Sequence, residues 1–176
     1  RALFSAVGLP MSPVVIGLSE VATSKLVLNS AYASIVQSCV RGGRTACHEC
    51  KKCFRKILLD RALSSTRWKA GPLDHYYRSE SVRQELSATP LHHENVYGFI
   101  LSNYAGSDPV LTAMQRLLRV DDIDYTLFAD YYSPYLDHLP DADRDLVRAN
   151  LSEHLAPMTP AQVTAALLGS ATPNVV

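Results

Sequence analysis

The chain has 176 residues, 47% hydrophobic and 19% charged, with 17 lysines and arginines balanced by 17 acidic residues to a net charge of zero. That suits one domain, or one domain with an appendage, and supplies enough apolar material for a sizeable core. These figures exclude large-scale disorder and argue against holding nucleic acid or a membrane surface by bulk charge; no apolar run reaches the roughly eighteen residues that span a bilayer.

The N-terminus begins with Arg1 and carries no signal-peptide pattern, so a cytoplasmic chain is expected, processed or cut from something longer. Pro13 to Gly17 (PVVIG) is a short β-branched run ended by Gly, the pattern of a buried strand. Ser19-Glu20 then opens a helical stretch toward Asn29, with Ser19 suited to the cap and Glu20 to the first turn.

All four cysteines fall next, at Cys39, Cys47, Cys50 and Cys53. A Cys-x2-Cys spacing puts two thiolates on a tight turn where both reach one ion, and the other two complete a tetrahedral shell. Gly42-Gly43 supplies a flexible turn that returns the first ligand to the cluster. Arg44, Lys51, Lys52 and Arg55 would offset the excess negative charge of four thiolates around a divalent ion. Disulfides would need an oxidising compartment, and iron–sulfur ligation usually places its next cysteine downstream, where no cysteine follows Cys53. Zinc is the expected ion. His48 is a bystander beside four thiols.

Cys50 to Leu63 reads as a helix with Phe54, Ile57, Leu58 and Leu63 on its apolar side, and Trp68, Tyr76 and Tyr77 follow as anchors pinning it to the rest. Beyond residue 70 the signals are helical. Thr89-Pro90 and Asp108-Pro109 each open a helix with Pro at its first position. Thr159-Pro160-Ala161-Gln162 is a capping box, and Gly169 suits the end of that last helix. His92-His93-Glu94 lacks the His-Glu-x-x-His order and reads as a surface or capping feature. Tyr125, Phe128, Tyr131, Tyr132 and Tyr135 read as a helix-packing face. Charge is uneven along the chain: nine basic residues between Arg41 and Lys69 meet only Glu49 and Asp60, while eight aspartates dominate Asp121 to Asp145. These segments face each other, face different partners, or form two solvated faces.

Ser38-Cys39, a basic Gly-containing loop, Cys-x2-Cys-x2-Cys and Arg55 two residues later resemble the zinc segment of 7-cyano-7-deazaguanine synthase and its relatives in the ATP-pyrophosphatase (PP-loop) superfamily. The resemblance covers about residues 13 to 60. It implies that Cys39, Cys47, Cys50 and Cys53 are structural zinc ligands. It also implies that PVVIG and Ser19-Glu20 lie at the C-terminal edge of a parallel sheet, with Ser19 and Glu20 as substrate-binding residues. The family adenylates a carboxylate with ATP and Mg2+ and converts it to an amide or nitrile. The family's Ser-Gly-Gly-x-Asp-Ser loop is absent from this sequence, so the ATP-binding half is expected as a separate subunit or a missing N-terminal segment.

The resulting expectation is a mostly α chain with a short β element, the C-terminal portion of an α/β adenine-nucleotide fold. Residues 1–38 form the sheet edge, 39–68 the zinc-binding segment and its helix, and 69–176 a helical region. The expected function is the zinc-stabilised part of an ATP-dependent ligase acting on a small-molecule carboxylate, with no catalytic residue assigned and no activity from the chain alone. A zinc-stapled nucleic-acid-binding module and a non-catalytic interaction subunit are the alternatives.

Overall fold

The computed structural model describes residues 15–36, 39, 41, 43, 45–64, 67 and 69–168. Among them the chain is helical: α1 (Glu20–Leu28), α2 (Lys51–Ser64), α3 (Asp74–Arg78), α4 (Glu80–Leu86), α5 (Glu94–Ser102), α6 (Pro109–Leu117), α7 (Asp141–Ser152) and α8 (Pro160–Leu167). Two 3-10 turns, Thr126–Ala129 and Ser133–His138, lie between α6 and α7.

Local chemistry sets several of these boundaries. Ser19 Oγ accepts from the Ala22 amide at 3.0 Å and caps α1, one of the orphan donors that every helix start must satisfy. Asp108 caps α6, accepting from the Val110 and Leu111 amides at 3.0 Å each, with Pro109 at the first helical position. The Thr159 capping box of α8 is complete: Gln162 Oε1 accepts from the Thr159 amide at 2.8 Å, and Thr159 Oγ1 accepts from Gln162 at 3.3 Å.

The main core forms where α2 crosses α5. Phe54, Leu58 and Leu59 of α2 and Tyr97, Ile100 and Leu101 of α5 are fully buried there, and each Leu, Ile or Phe among them contributes about 1.5–3 kcal/mol relative to exposure. Ile57 and Leu63 pack at its margin. Tyr76 and Tyr77 of α3 set their rings 5.4 and 6.0 Å from Phe54, anchoring the helix as the sequence suggests. Tyr77 also donates to Asp108 at 2.8 Å, tying α3 to the start of α6. A smaller cluster gathers Ala22 of α1 with Tyr131, Tyr135, Leu136, Leu139 and Leu155.

The structure departs from the sequence reading at three places. Val15–Gly17 is a turn rather than strand, and Pro13 and Val14 lie outside the described residues. Leu18 N–H returns to the Val15 carbonyl at 3.0 Å, while Val15 and Ile16 are 57% and 60% exposed, the opposite of a buried strand. The reason is long-range: the Gly17 carbonyl accepts from the Tyr132 amide at 2.9 Å, and a side chain at Gly17 would meet Tyr135 Cβ at 3.0 Å. The only β pairing among the described residues is an isolated parallel bridge between Tyr131 and Pro157, so no sheet edge is found within residues 15–36.

Pro90 opens no helix. The Thr89-Pro90 peptide is cis, Leu91 turns into the core, and α5 begins only at Glu94. Finally, the aromatic run 125–135 is not one helix. Tyr125, Tyr131 and Tyr135 are buried, but they are delivered by the two short 3-10 turns and extended residues between them.

Candidate metal centre

Three segments bring the four thiols together. Cys39 comes from the loop after α1, Cys47 from the segment before α2, Cys50 from the residue preceding α2, and Cys53 from its first turn. Cys50 and Cys53 are three residues apart at a helix start, which places them on one face. The Phe54 amide donates to the Cys50 carbonyl at 2.9 Å and closes that first turn. His48 adopts a left-handed conformation (φ 56°), which reverses the chain between Cys47 and Cys50. Gly43 (φ 66°) turns the loop between Cys39 and Cys47, a conformation glycine adopts without strain. Gly42 and Arg44 lie outside the described residues.

The four Sγ atoms all lie within 4.8 Å of one another. Cys39 Sγ is 3.5 Å from Cys47 and 3.9 Å from Cys50, and Cys47 is 3.8 Å from Cys53. A tetrahedron with zinc–sulfur bonds of about 2.3 Å has edges of about 3.8 Å. The separations therefore fit one central ion. They are far too long for disulfides, whose sulfurs sit about 2.05 Å apart, and all four cysteines are free. An iron–sulfur cubane would interpose its own iron and sulfide atoms and spread the thiolates further.

Local electrostatics favour thiolate at one position and oppose it at another. The Glu49 amide, and then that of Cys50, donate to Cys47 sulfur and hold its thiol below the usual range. Burial pushes the Cys53 thiol up to about 12, against a donation from the His48 amide. A cation among the sulfurs reverses that penalty, since a coordinating thiol is deprotonated.

Behind the sulfurs, α2 carries a charge network centred on the buried pair Arg55–Glu85, whose partners local sequence does not reveal. Arg55 Nη1 donates to Glu85 Oε1 of α4 at 2.8 Å, and Arg55 Nε donates to Glu20 Oε1 of α1 at 3.2 Å. Lys51 Nζ lies 3.1 Å from Glu85 Oε2 as an ion pair without hydrogen-bond geometry. His93, at the cap of α5, places Nδ1 3.5 Å from Glu20 Oε2. The helix that carries Cys53 and follows Cys50 is thus joined by charge to α1 and α4 and, through Glu20, to the start of α5.

Ser19 and Glu20 have structural partners. Ser19 donates to the Phe128 carbonyl besides capping α1. Glu20 faces Arg55 and His93, and also borders a cleft between α1 and α2. Neither His48 nor the His92-His93-Glu94 run joins the metal-competent group, which among the described residues consists of the four cysteines. Trp68 and Gly169 lie outside the described residues. No described helix is long and apolar enough to cross a membrane.

Fold and site together define a helical protein with a four-cysteine centre able to hold a metal ion such as zinc. The chain belongs to the family described as "Family of unknown function (DUF6395)", which matches residues 1–166. No curated protein and no solved structure matches it.

Proposed function

We propose that the chain is a structural zinc protein in which one ion, held by Cys39, Cys47, Cys50 and Cys53, staples α2 to the loop after α1. The observation that carries this reading is the clustering of the four Sγ atoms within 4.8 Å of one another, with three of the six separations, 3.5 to 3.9 Å, close to a tetrahedral edge. Four thiolates fill the shell, so the ion keeps no open position for substrate, as in structural rather than catalytic sites. Zinc removal by a chelator is the test. The expected result is loss of helical signal and a lower melting temperature, both restored by added zinc. Unchanged stability after complete metal removal would overturn it.

The wider reading is a zinc-stabilised component of an ATP-dependent ligase of the cyano-deazaguanine synthase type. In it, another chain or segment supplies the nucleotide loop and Mg2+, and this chain supplies scaffold and part of a carboxylate pocket near Ser19 and Glu20. Its support is the cysteine spacing and the cleft that Glu20 borders; the turn at Val15–Gly17 withdraws the support a strand there would have given. Calorimetry tests it. ATP should not bind the isolated chain and should bind once an ATP-binding half is added; a micromolar Kd for the isolated chain would place the nucleotide site elsewhere. A nucleic-acid-binding role gains less support. Three of the nine basic residues in the run are engaged internally, Lys51 and Arg55 on Glu85 and Lys56 on Asp60.

A further inference from the structure

Between α1 and α2 lies an open cleft of about 380 Å³, within the range of small-molecule sites at roughly 300–1,000 Å³. One wall presents Thr23, Ser24 and Val27, the other Lys52 and Lys56, and Val36 forms part of the rim. Glu20 and Arg55 close one end, but their charges are already matched: Glu20 faces Arg55 and His93, and Arg55 also faces Glu85.

The two lysines are in a different position. Lys52 is exposed and has no acidic partner among the described residues. Lys56 Nζ pairs with Asp60 at 2.7 Å, four residues along the same helix and partly open to solvent, an exchange worth only about 0.3–0.5 kcal/mol and readily given up to a better anion. Ser24, half-buried, has a hydroxyl with no hydrogen bond among the described residues and can donate. Thr23 spends its proton on the Ser19 carbonyl at 2.8 Å. Val27 and the 46% exposed Val36 add an apolar surface beside the cations. The cleft thus offers ammonium and hydroxyl donors next to an apolar wall, with its single carboxylate turned toward other cations.

We infer that this cleft binds a small organic anion, a carboxylate or phosphate monoester on an apolar body, with the anionic group between Lys52, Lys56 and Ser24 and the body against Val27 and Val36. The inference deepens the substrate-pocket part of the ligase reading and rests on it for a biological role, while its binding chemistry stands on the cleft alone. Val36 and Lys56 also line a second hollow of about 240 Å³ beside Cys39 and Cys53, so a longer body would extend toward the metal centre.

The test is titration of the zinc-loaded full chain with benzoate, phenyl phosphate and benzyl alcohol, followed by amide NMR. Benzoate or phenyl phosphate should give saturable shifts at Ser24, Val27, Lys52 and Lys56, the stronger of the two naming the anion, and neutral benzyl alcohol should not. Lys52→Gln should raise the Kd about fivefold, the value of one modest hydrogen bond, whereas Lys69→Gln, outside the cleft, should leave it unchanged. Absence of saturable shifts with either anion, equal binding of benzyl alcohol, or an unchanged Kd in Lys52→Gln would overturn the inference. Zinc content and melting temperature of the same samples report on the metal centre, so an empty cleft on a stable, zinc-loaded chain counts against the cleft and leaves the metal centre standing.

Discussion

Arg55, two residues after the last cysteine, donates to Glu85 at 2.8 Å, and the side chains are 9% and 0% exposed. A buried pair of this kind adds little net stability over an apolar pair, but removing one member strands the other in low dielectric. Glu85→Ala leaves Arg55 with only Glu20 and Lys51 without its partner. It should cost about 3 kcal/mol or more, read from denaturant unfolding of the metal-loaded protein. A loss under about 1 kcal/mol, the range of exposed pairs, would show that water reaches the network.

Cys50→Ser should lower zinc affinity and stability together. Binding free energy for a structural ion is also folding free energy, so a loss of several kcal/mol is expected. Elemental analysis and thermal unfolding on one sample check both halves. A stable variant that has lost its zinc would separate the ion from the fold.

Gly98, inside α5, lies against the Tyr125 ring so closely that an added Cβ would stand 2.1 Å from Cε1. Gly98→Ala must push that buried ring aside at a cost of about 1–3 kcal/mol, despite the gain in helix propensity that alanine brings. Tyr125→Phe is the companion variant. It removes the 3.0 Å donation to the Leu118 carbonyl and should cost about 1 kcal/mol. Chemical denaturation ranks the two, with the alanine variant expected to be the less stable.

What was legible in the sequence is what local chemistry decides. The cysteine spacing, the Ser19 and Asp108 caps, the Thr159 capping box and the helix after Cys50 depend on residues within a few positions of one another, and they stand in the structure. The failures all involve distant partners. PVVIG has strand propensity, yet Val15–Gly17 turns because Gly17 must meet Tyr132 and Tyr135. Pro90 sits in a helix-start pattern, yet the chain there turns to bury Leu91. Glu85 is an ordinary helical glutamate in the sequence, and only the packing of α4 on α2 reveals it as the partner of Arg55 thirty residues away. The one local hint was an arginine two residues after a four-thiol cluster.

Acid should weaken the fold through His93. Burial and then the neighbouring Arg55 hold its imidazole below the usual range, partly opposed by Glu20 and Glu85. Well above about pH 6.5 the ring is neutral in folded and unfolded chains and contributes nothing to the pH dependence. As pH falls through about 6.5 the unfolded chain takes up the proton first, so stability declines until the folded-state pKa is passed. The side chain is 44% exposed, which keeps the effect to a fraction of a buried group's. NMR titration of His93 in the folded and urea-unfolded chain should give the lower pKa in the folded state, and His93→Gln should flatten the decline between about pH 7 and 5. A higher folded pKa would mean that Glu20 outweighs burial and Arg55.

The central claim is one ion held by four sulfurs, and X-ray absorption at the zinc edge of the purified chain, with elemental analysis of the same sample, tests it most directly. The account predicts about one zinc per chain and a first shell of four sulfurs at about 2.3 Å, with no imidazole contribution from His48. Iron with labile sulfide, a nitrogen in the first shell, or no bound metal would contradict it.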